Sequence, residues 1–236
     1  NRYEPPRDRL HHKANPLHHQ ETLRNHFYSY KHHKRSLFHY NKKSMIDKTL
    51  VAGTKNADAL MKIIEQPVPY VFSFPLLTPS FCADLVWIAD LVDRYATLPD
   101  DTKWNSVKVD NLSVYLDSVL VTAFAEFVLP IVELIFNGTK LVHMDSYISR
   151  FTPGTELGMR FDGSSHLTFQ IPLNDTYEGG ELEFEDLPLW EESKLKMGRI
   201  YMFPSQLTHK YRFMPVTRGR SHILTAWTRT CENYRS

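Results

Sequence analysis

The sequence predicts an α+β fold, mainly β, in which supporting helices precede a strand-rich core and an extended arm leads into it. Three observations carry the prediction. From Leu141 onward, short runs of strand character recur at 141–151, 166–173, 180–185, 199–203, 211–213 and 221–228, separated by Gly and Pro turns. Many short strands spaced in this way suit a sandwich, barrel or jelly roll. Ahead of them lie stretches whose apolar residues recur at helical spacing. Finally, residues 1–45 hold 10 Lys/Arg against 3 Asp/Glu and eight of the twelve histidines, whereas the remainder holds 18 against 24. Two electrostatically different segments share one chain of net charge +1.

In chain order, residues 1–45 form the arm. It contains Pro5-Pro6, Pro16 and the doublets His11-His12, His18-His19 and His32-His33, with Tyr3, Phe27, Tyr28, Tyr30, Phe38 and Tyr40 interleaved among basic residues. Such a composition cannot bury a core of its own. The arm is therefore expected to be ordered by protein subunits of a large assembly, or by RNA met through basic charge and stacking rings. Metal binding by the doublets is the weakest reading, because adjacent histidines without a fixed repeat do not close a site. Residues 46–66 read as a linker helix from Asn56 onward, with Leu60, Ile63 and Ile64 on one face, stopping before Pro67. Residues 67–236 form the main domain. It opens with a strand at 70–74, and Thr78-Pro79 then supplies an N-cap and first helical residue. The helix that follows carries Phe81, Leu85, Ile88 and Leu91. A short strand is expected at 106–110. A long apolar helix at 114–136 comes next, with Pro130 predicting a kink or break near its middle.

Bulk properties bound the rest. A length of 236 residues with 42% hydrophobic and 13% aromatic content supports one domain plus an arm. No uninterrupted apolar run reaches 18 residues, so no membrane span is expected. The chain starts at Asn1 without a signal-like apolar segment, as a processed form would. Cys82 and Cys231 are too few for a disulfide scaffold or a zinc site. Neither a phosphate-binding Gly-rich loop nor a nucleophile triad stands out. Asn-x-Ser/Thr sequons occur at Asn111, Asn137 and Asn174, and Glu185, Asp186, Trp190, Glu191 and Glu192 form an acidic loop read as a solvated edge.

The stretch from Ser149 to Asp186 carries a combination of motifs: Arg150, Pro153-Gly154, Leu167-Thr168, Leu173-Asn174 and Glu178-Gly179-Gly180-Glu181. A later turn reads Pro215-Val216-Thr217-Arg218-Gly219. Together they resemble the Fe(II)/2-oxoglutarate dioxygenase family, in its lysyl and prolyl hydroxylase branch, over roughly residues 67–230. The resemblance selects a double-stranded β-helix (jelly-roll) among the β-rich options. It also implies an iron held by two histidines and a carboxylate on one face, with 2-oxoglutarate in the open positions.

Carried over position by position, that site is altered. The first histidine of the pattern falls on Arg160 and the carboxylate two residues on is Asp162. The second histidine, four residues before Pro215, falls on Tyr211. The cation that would hold the cosubstrate's distal carboxylate falls on Ser221, and the tyrosine of the first strand motif on Phe151. A guanidinium has no lone pair for a metal, so Arg160 is expected to pair with Asp162 and take the metal's place. A serine donates one neutral hydrogen bond and cannot make a bidentate charged pair. Arg218 and Arg220 are expected on the face opposite Ser221. His209, two residues before Tyr211, would face the same way on a strand, which leaves Asp162 and His209 as candidate residual ligands. His166 is expected to be a packed or surface histidine.

The metal-ligand and anchor positions are lost inside a frame that kept its turn residues, whereas a misalignment would disturb the frame as well. The expectation is a hydroxylase-like pseudoenzyme needing no cofactor, a structural accessory subunit of a large mitochondrial multi-subunit complex. The alternative is an active lysyl or prolyl hydroxylase using Fe2+ and 2-oxoglutarate, in the endoplasmic reticulum where collagen-modifying relatives work.

Overall fold

A computed structural model of the chain describes residues 42–54, 56–95, 104–136, 141–155, 157–188, 190 and 194–230. Residues 1–41 of the arm, with its histidine doublets, together with Asn137, Glu191, Glu192 and Cys231 lie outside the described residues, whereas Lys42–Met45 at the arm's end form a short helix. The described strands are β1 (Glu65–Val68), β2 (Val71–Pro75), β3 (Trp104–Lys108), β4 (Leu141–Phe151), β5 (Leu157–Arg160) and β6 (Leu167–Pro172). After them come β7 (Tyr177–Gly179), β8 (Leu182–Phe184), β9 (Arg199–Pro204), β10 (Tyr211–Phe213), β11 (Val216–Gly219) and β12 (Ser221–Thr230). The large antiparallel sheet runs β1-β2-β9-β6-β12-β4-β3, and the opposing layer consists of β5-β10-β8 and the pair β11-β7. This is the mainly β jelly roll with supporting helices that the motifs imply.

Between the layers, Phe151, Tyr201, Phe203 and Ile223 meet Tyr177, Phe184, Tyr211 and Phe213 in one buried cluster. Ring pairs such as Phe184–Phe203 at 4.9 Å and Phe151–Phe213 at 5.4 Å fill it. The outer face of the large sheet carries the helices. Pro79–Tyr95 starts where the Thr78 hydroxyl accepts the Phe81 N–H, and it buries Phe81, Cys82, Leu85 and Ile88. Burial pushes the Cys82 thiol up to about 12, which leaves it an inert packing residue.

The long apolar segment is helical from Val114 to Ile135, with a π turn at Phe124–Val128 just ahead of Pro130. Proline offers no N–H to the ladder, and the hydrogen-bond step widens before it. By length and composition this helix could cross a membrane, contrary to the expectation that no segment would qualify. Polar residues interrupt it, yet its average remains apolar. Its Leu116, Leu120, Phe124, Phe127, Ile131 and Val132 are buried at helical spacing, and Phe124 meets Phe169 of the sheet edge-on at 5.4 Å.

Two local readings change. Residues 46–66 are not one helix but Lys48–Gly53 and Ala57–Met61, capped by Asp47 and Asn56. Ile63 falls in a turn, and Pro67 lies in β1, an edge strand where a missing N–H is tolerated. Met45, Ile46 and Leu50 are buried and the Asp47 N–H reaches the Leu76 carbonyl, so this segment is part of a compact unit that begins at Asn41. The strand read at 106–110 is β3, shifted two residues earlier, with a helical turn at Val109–Leu112 replacing its end.

The turn motifs, far apart in sequence, meet in space. The Gly154 N–H donates to the Val216 carbonyl, the Gly180 N–H donates to the Pro215 carbonyl, and Gly179 pairs with Val216. Gly179 has φ +75, and a Cβ there would lie 2.3 Å from the Pro215 oxygen. Only glycine fits such a position.

Candidate active site

Antiparallel pairing places Tyr211 of β10 opposite Arg160 at the end of β5. Asp162 follows β5 into a turn, held by its N–H donating to the Ser205 carbonyl. Its side chain is 6% exposed and forms the hub of the site. One carboxylate oxygen, Oδ2, accepts three hydrogen bonds: from the Thr168 hydroxyl at 2.7 Å, the Tyr211 phenol at 3.0 Å and the Trp227 indole N–H at 2.9 Å. The other, Oδ1, lies 3.5 Å from the Arg160 guanidinium, whose side chain is 42% exposed. The expected Arg160–Asp162 pair is present, and Tyr211, the other position read as altered, joins it.

The network continues into β6, β9 and β12. Thr225 donates to Gln170 Oε1, Gln170 Nε2 lies 3.4 Å from the Tyr211 oxygen, and Ser205 lies 2.8 Å from the Thr168 hydroxyl. With Thr168 donating to Asp162, the Ser205 hydroxyl is the donor in that last pair. Burial, reinforced by the Asp162 charge and opposed by Arg160, pushes the Tyr211 phenol far above its ordinary value. The phenol therefore stays protonated and acts as a donor toward Asp162.

The two positions assigned to the cosubstrate also meet, since Ser221 pairs with Phe151 across β12 and β4. Both are buried, and Phe151 packs on Phe213. Tyr177 is buried nearby, its phenol raised by burial and drawn partly back by Ser221. Arg218 lies on the surface paired with Glu178, and Arg220 is exposed, so neither supplies a cation beside Ser221. His166 is a surface residue, as expected.

His209 departs from the sequence reading. It ends a 3-10 turn, Leu207–His209, rather than lying on the strand with Tyr211, so strand alternation does not apply. Its Nε2 meets the Pro69 carbonyl at 3.2 Å and its Nδ1 the Thr208 hydroxyl at 3.0 Å. Burial lowers its pKa, and the ring packs edge-on against Tyr70 and Phe184. Both nitrogens are committed away from Asp162, which removes His209 as a residual ligand.

Gln170 and Trp227 were not among the residues read from sequence, and Thr168 was read only as part of the frame motif, with no role at the site. A faint signal existed: β6 is buried along its whole length, and Thr168 and Gln170 alternate there with apolar residues. Polar side chains on one face of a buried strand need partners, and here that face looks toward Asp162.

The donor set can be tested against Fe(II). A guanidinium and a protonated phenol bring no lone pair suited to the metal, and the one carboxylate spends an oxygen on three protein donors. Among the described residues no group of three or more His, Cys, Asp or Glu side chains converges to hold a metal. These residues do not fit an iron held by two imidazoles and a carboxylate.

No family model matches the chain. It is 27% identical over 179 residues to "Procollagen-lysine,2-oxoglutarate 5-dioxygenase 2" of Homo sapiens. It is 28% identical over 185 residues to "Multifunctional procollagen lysine hydroxylase and glycosyltransferase LH3" of Rattus norvegicus. Each match covers 70% of this chain and 24% of the relative, so the chain spans about a quarter of the length of these proteins. Among solved structures, a Pseudomonas putida prolyl-4-hydroxylase shares the fold with a TM-score of 0.52 and 16% identity, covering 77% of this chain and 98% of that one. HygX from Streptomyces hygroscopicus, solved with nickel and 2-oxoglutarate bound, has a TM-score of 0.52 at 11% identity, covering 73% and 85%. By sequence the chain is similar to procollagen lysine hydroxylases and by structure it shares the fold of 2-oxoglutarate oxygenases, which together support a 2-oxoglutarate-dependent dioxygenase-like family.

Proposed function

We propose that this chain is a non-catalytic member of that family, a pseudoenzyme that serves as an accessory subunit of a larger assembly. The observation that carries the reading is the state of Asp162, whose Oδ2 is taken by Thr168, Tyr211 and Trp227 and whose Oδ1 faces Arg160. An oxygenase needs its carboxylate available to a metal, whereas this one is built into the hydrogen bonding of four chain segments. Phe151 and Ser221 in place of a phenol and a cation support the same reading at the cosubstrate end. The partners are protein subunits engaged by the basic residues 1–45, with RNA as the alternative chemistry. Of the two compartments the sequence leaves open, kinship with procollagen-lysine enzymes favours the endoplasmic reticulum over the mitochondrion.

A second reading, an active lysyl or prolyl hydroxylase, is favoured by the 27% identity to an enzyme acting on procollagen lysine. Supplying the purified chain with Fe(II), ascorbate, 2-oxoglutarate and Lys- or Pro-containing peptides separates the two. The pseudoenzyme reading expects no succinate above the metal-free control, and succinate formation that needs the peptide would overturn it. Affinity capture of the full chain from its own cells, with and without nuclease, tests the accessory role. A defined set of protein subunits is expected, and recovery as a free monomer would contradict it.

A further inference from the structure

We propose that Asn111 is an N-glycan acceptor of the folded protein, and that the sequon at Asn174 is closed by the fold. Both carry the Asn-x-Ser/Thr pattern that the glycosylation machinery reads on exposed segments in a secretory lumen. The structure separates them.

Asn174 has nothing left to offer. Its Nδ2 donates to the Thr176 hydroxyl at 3.2 Å and to the Arg220 carbonyl at 2.7 Å, and its Oδ1 accepts the His222 N–H at 2.8 Å. An amide nitrogen has two protons, and both are used. A sugar on that nitrogen would remove one of these bonds and wedge into the clamp between the turn and β12.

Asn111 is the opposite case. It sits in the helical turn Val109–Leu112, whose Val109 and Leu112 are buried and fix the turn's orientation, while Asn111 itself is exposed. The sequon's Ser113 is extended at φ −168, and its hydroxyl then accepts the Leu116 N–H as the N-cap of the next helix. Val114 and Tyr115, within four residues of Asn111, are 77% and 51% exposed, so the surface beside the sequon is accessible. In the transfer, Asn111 Nδ2 loses one proton to solvent and bonds to C1 of the first sugar. The donor is a polyprenyl-diphosphate-linked oligosaccharide, and the polyprenyl diphosphate leaves.

The inference rests on the secretory compartment proposed above and is independent of whether the site turns over. The full chain, directed to the secretory lumen of a eukaryotic cell, is treated with peptide-N-glycosidase and its peptides are weighed. Release converts a glycosylated asparagine to aspartate, so residue 111 is expected to appear as aspartate while residue 174 remains asparagine. Asn111→Gln should lower the intact mass by one oligosaccharide, Ser113→Thr should keep the glycan together with the helix cap, and Asn174→Gln should leave glycan content unchanged. An unconverted residue 111 on the secreted, folded chain, or conversion at 174, overturns the assignment. Modification on the directed chain with none on the same protein from its own cells would support the site and overturn the compartment reading, leaving the pseudoenzyme reading untouched.

Discussion

At Asp162, a buried carboxylate is stabilised by three neutral donors and faced by one partly exposed cation. Hydrogen bonds to a charged group contribute about 1.5–3 kcal/mol each, so Tyr211→Phe should cost about that much. The loss would appear as a lower urea midpoint at unchanged m. Asp162→Ala strands two buried donors and the part-buried Trp227 indole and should cost more, on the order of 3–5 kcal/mol. If Asp162 were instead an idle metal ligand, its removal would leave apo stability nearly unchanged. The pH dependence has a worked sign. Burial lowers the pKa values of His143, His209 and His222 in the folded state, so the unfolded chain binds protons first as pH falls. Stability is full above the unfolded histidine value of about 6.5 and declines below it. Urea midpoints at neutral and mildly acid pH should show this fall, and His209→Gln should flatten it. Arg160, Asp162 and Tyr211 were legible in sequence because fixed spacings from glycine and proline motifs locate them. Trp227 was not, because it reaches Asp162 across 65 residues through a register that no local pattern encodes.

Among the elements, the turn motifs survive because they hold the fold rather than the metal. Gly154 and Gly179 meet the Pro215–Gly219 segment, which was read as a turn but is strand β11 from Val216 onward, and these contacts set the pairing of β7 with β11. Gly179→Ala would hold alanine at positive φ, costing about 1–2 kcal/mol, with a further penalty from the clash with the Pro215 oxygen. Gly158→Ala is the matched control, since its Cβ would meet nothing within 4 Å; it should shift thermal unfolding little. The longer strands β4, β6, β9 and β12 were readable from their patterns, whereas β5, β7 and β11 were not. They have three or four residues each and exist through their partners; the equally short β8 and β10 were readable only as apolar runs set off by turn residues. The helix at 114–135 was readable in extent, and its π turn follows from Pro130, but the sheet face it covers depends on packing.

For the whole molecule, residues 41–236 form a compact unit by themselves. A chain truncated to that unit should unfold in one cooperative transition near the full-length midpoint while losing arm-dependent partners. A broad or strongly lowered transition would show that the domain boundary is wrong. The mainly β class was legible from strand and turn spacing, but the strand order was not. Order arises from pairings between distant segments, and here the family resemblance supplied what periodicity could not. The same resemblance located the altered site, whose geometry ties Arg160 and Tyr211 to Asp162.

The most direct test of that substitution is an anaerobic Fe(II) titration of the wild-type chain beside an Arg160→His, Tyr211→His double variant. The account predicts no saturable uptake by the wild type and a gain of binding in the double variant, whose two imidazoles would join Asp162. Tight, stoichiometric Fe(II) binding by the wild-type chain would contradict it and return the protein to the active hydroxylases.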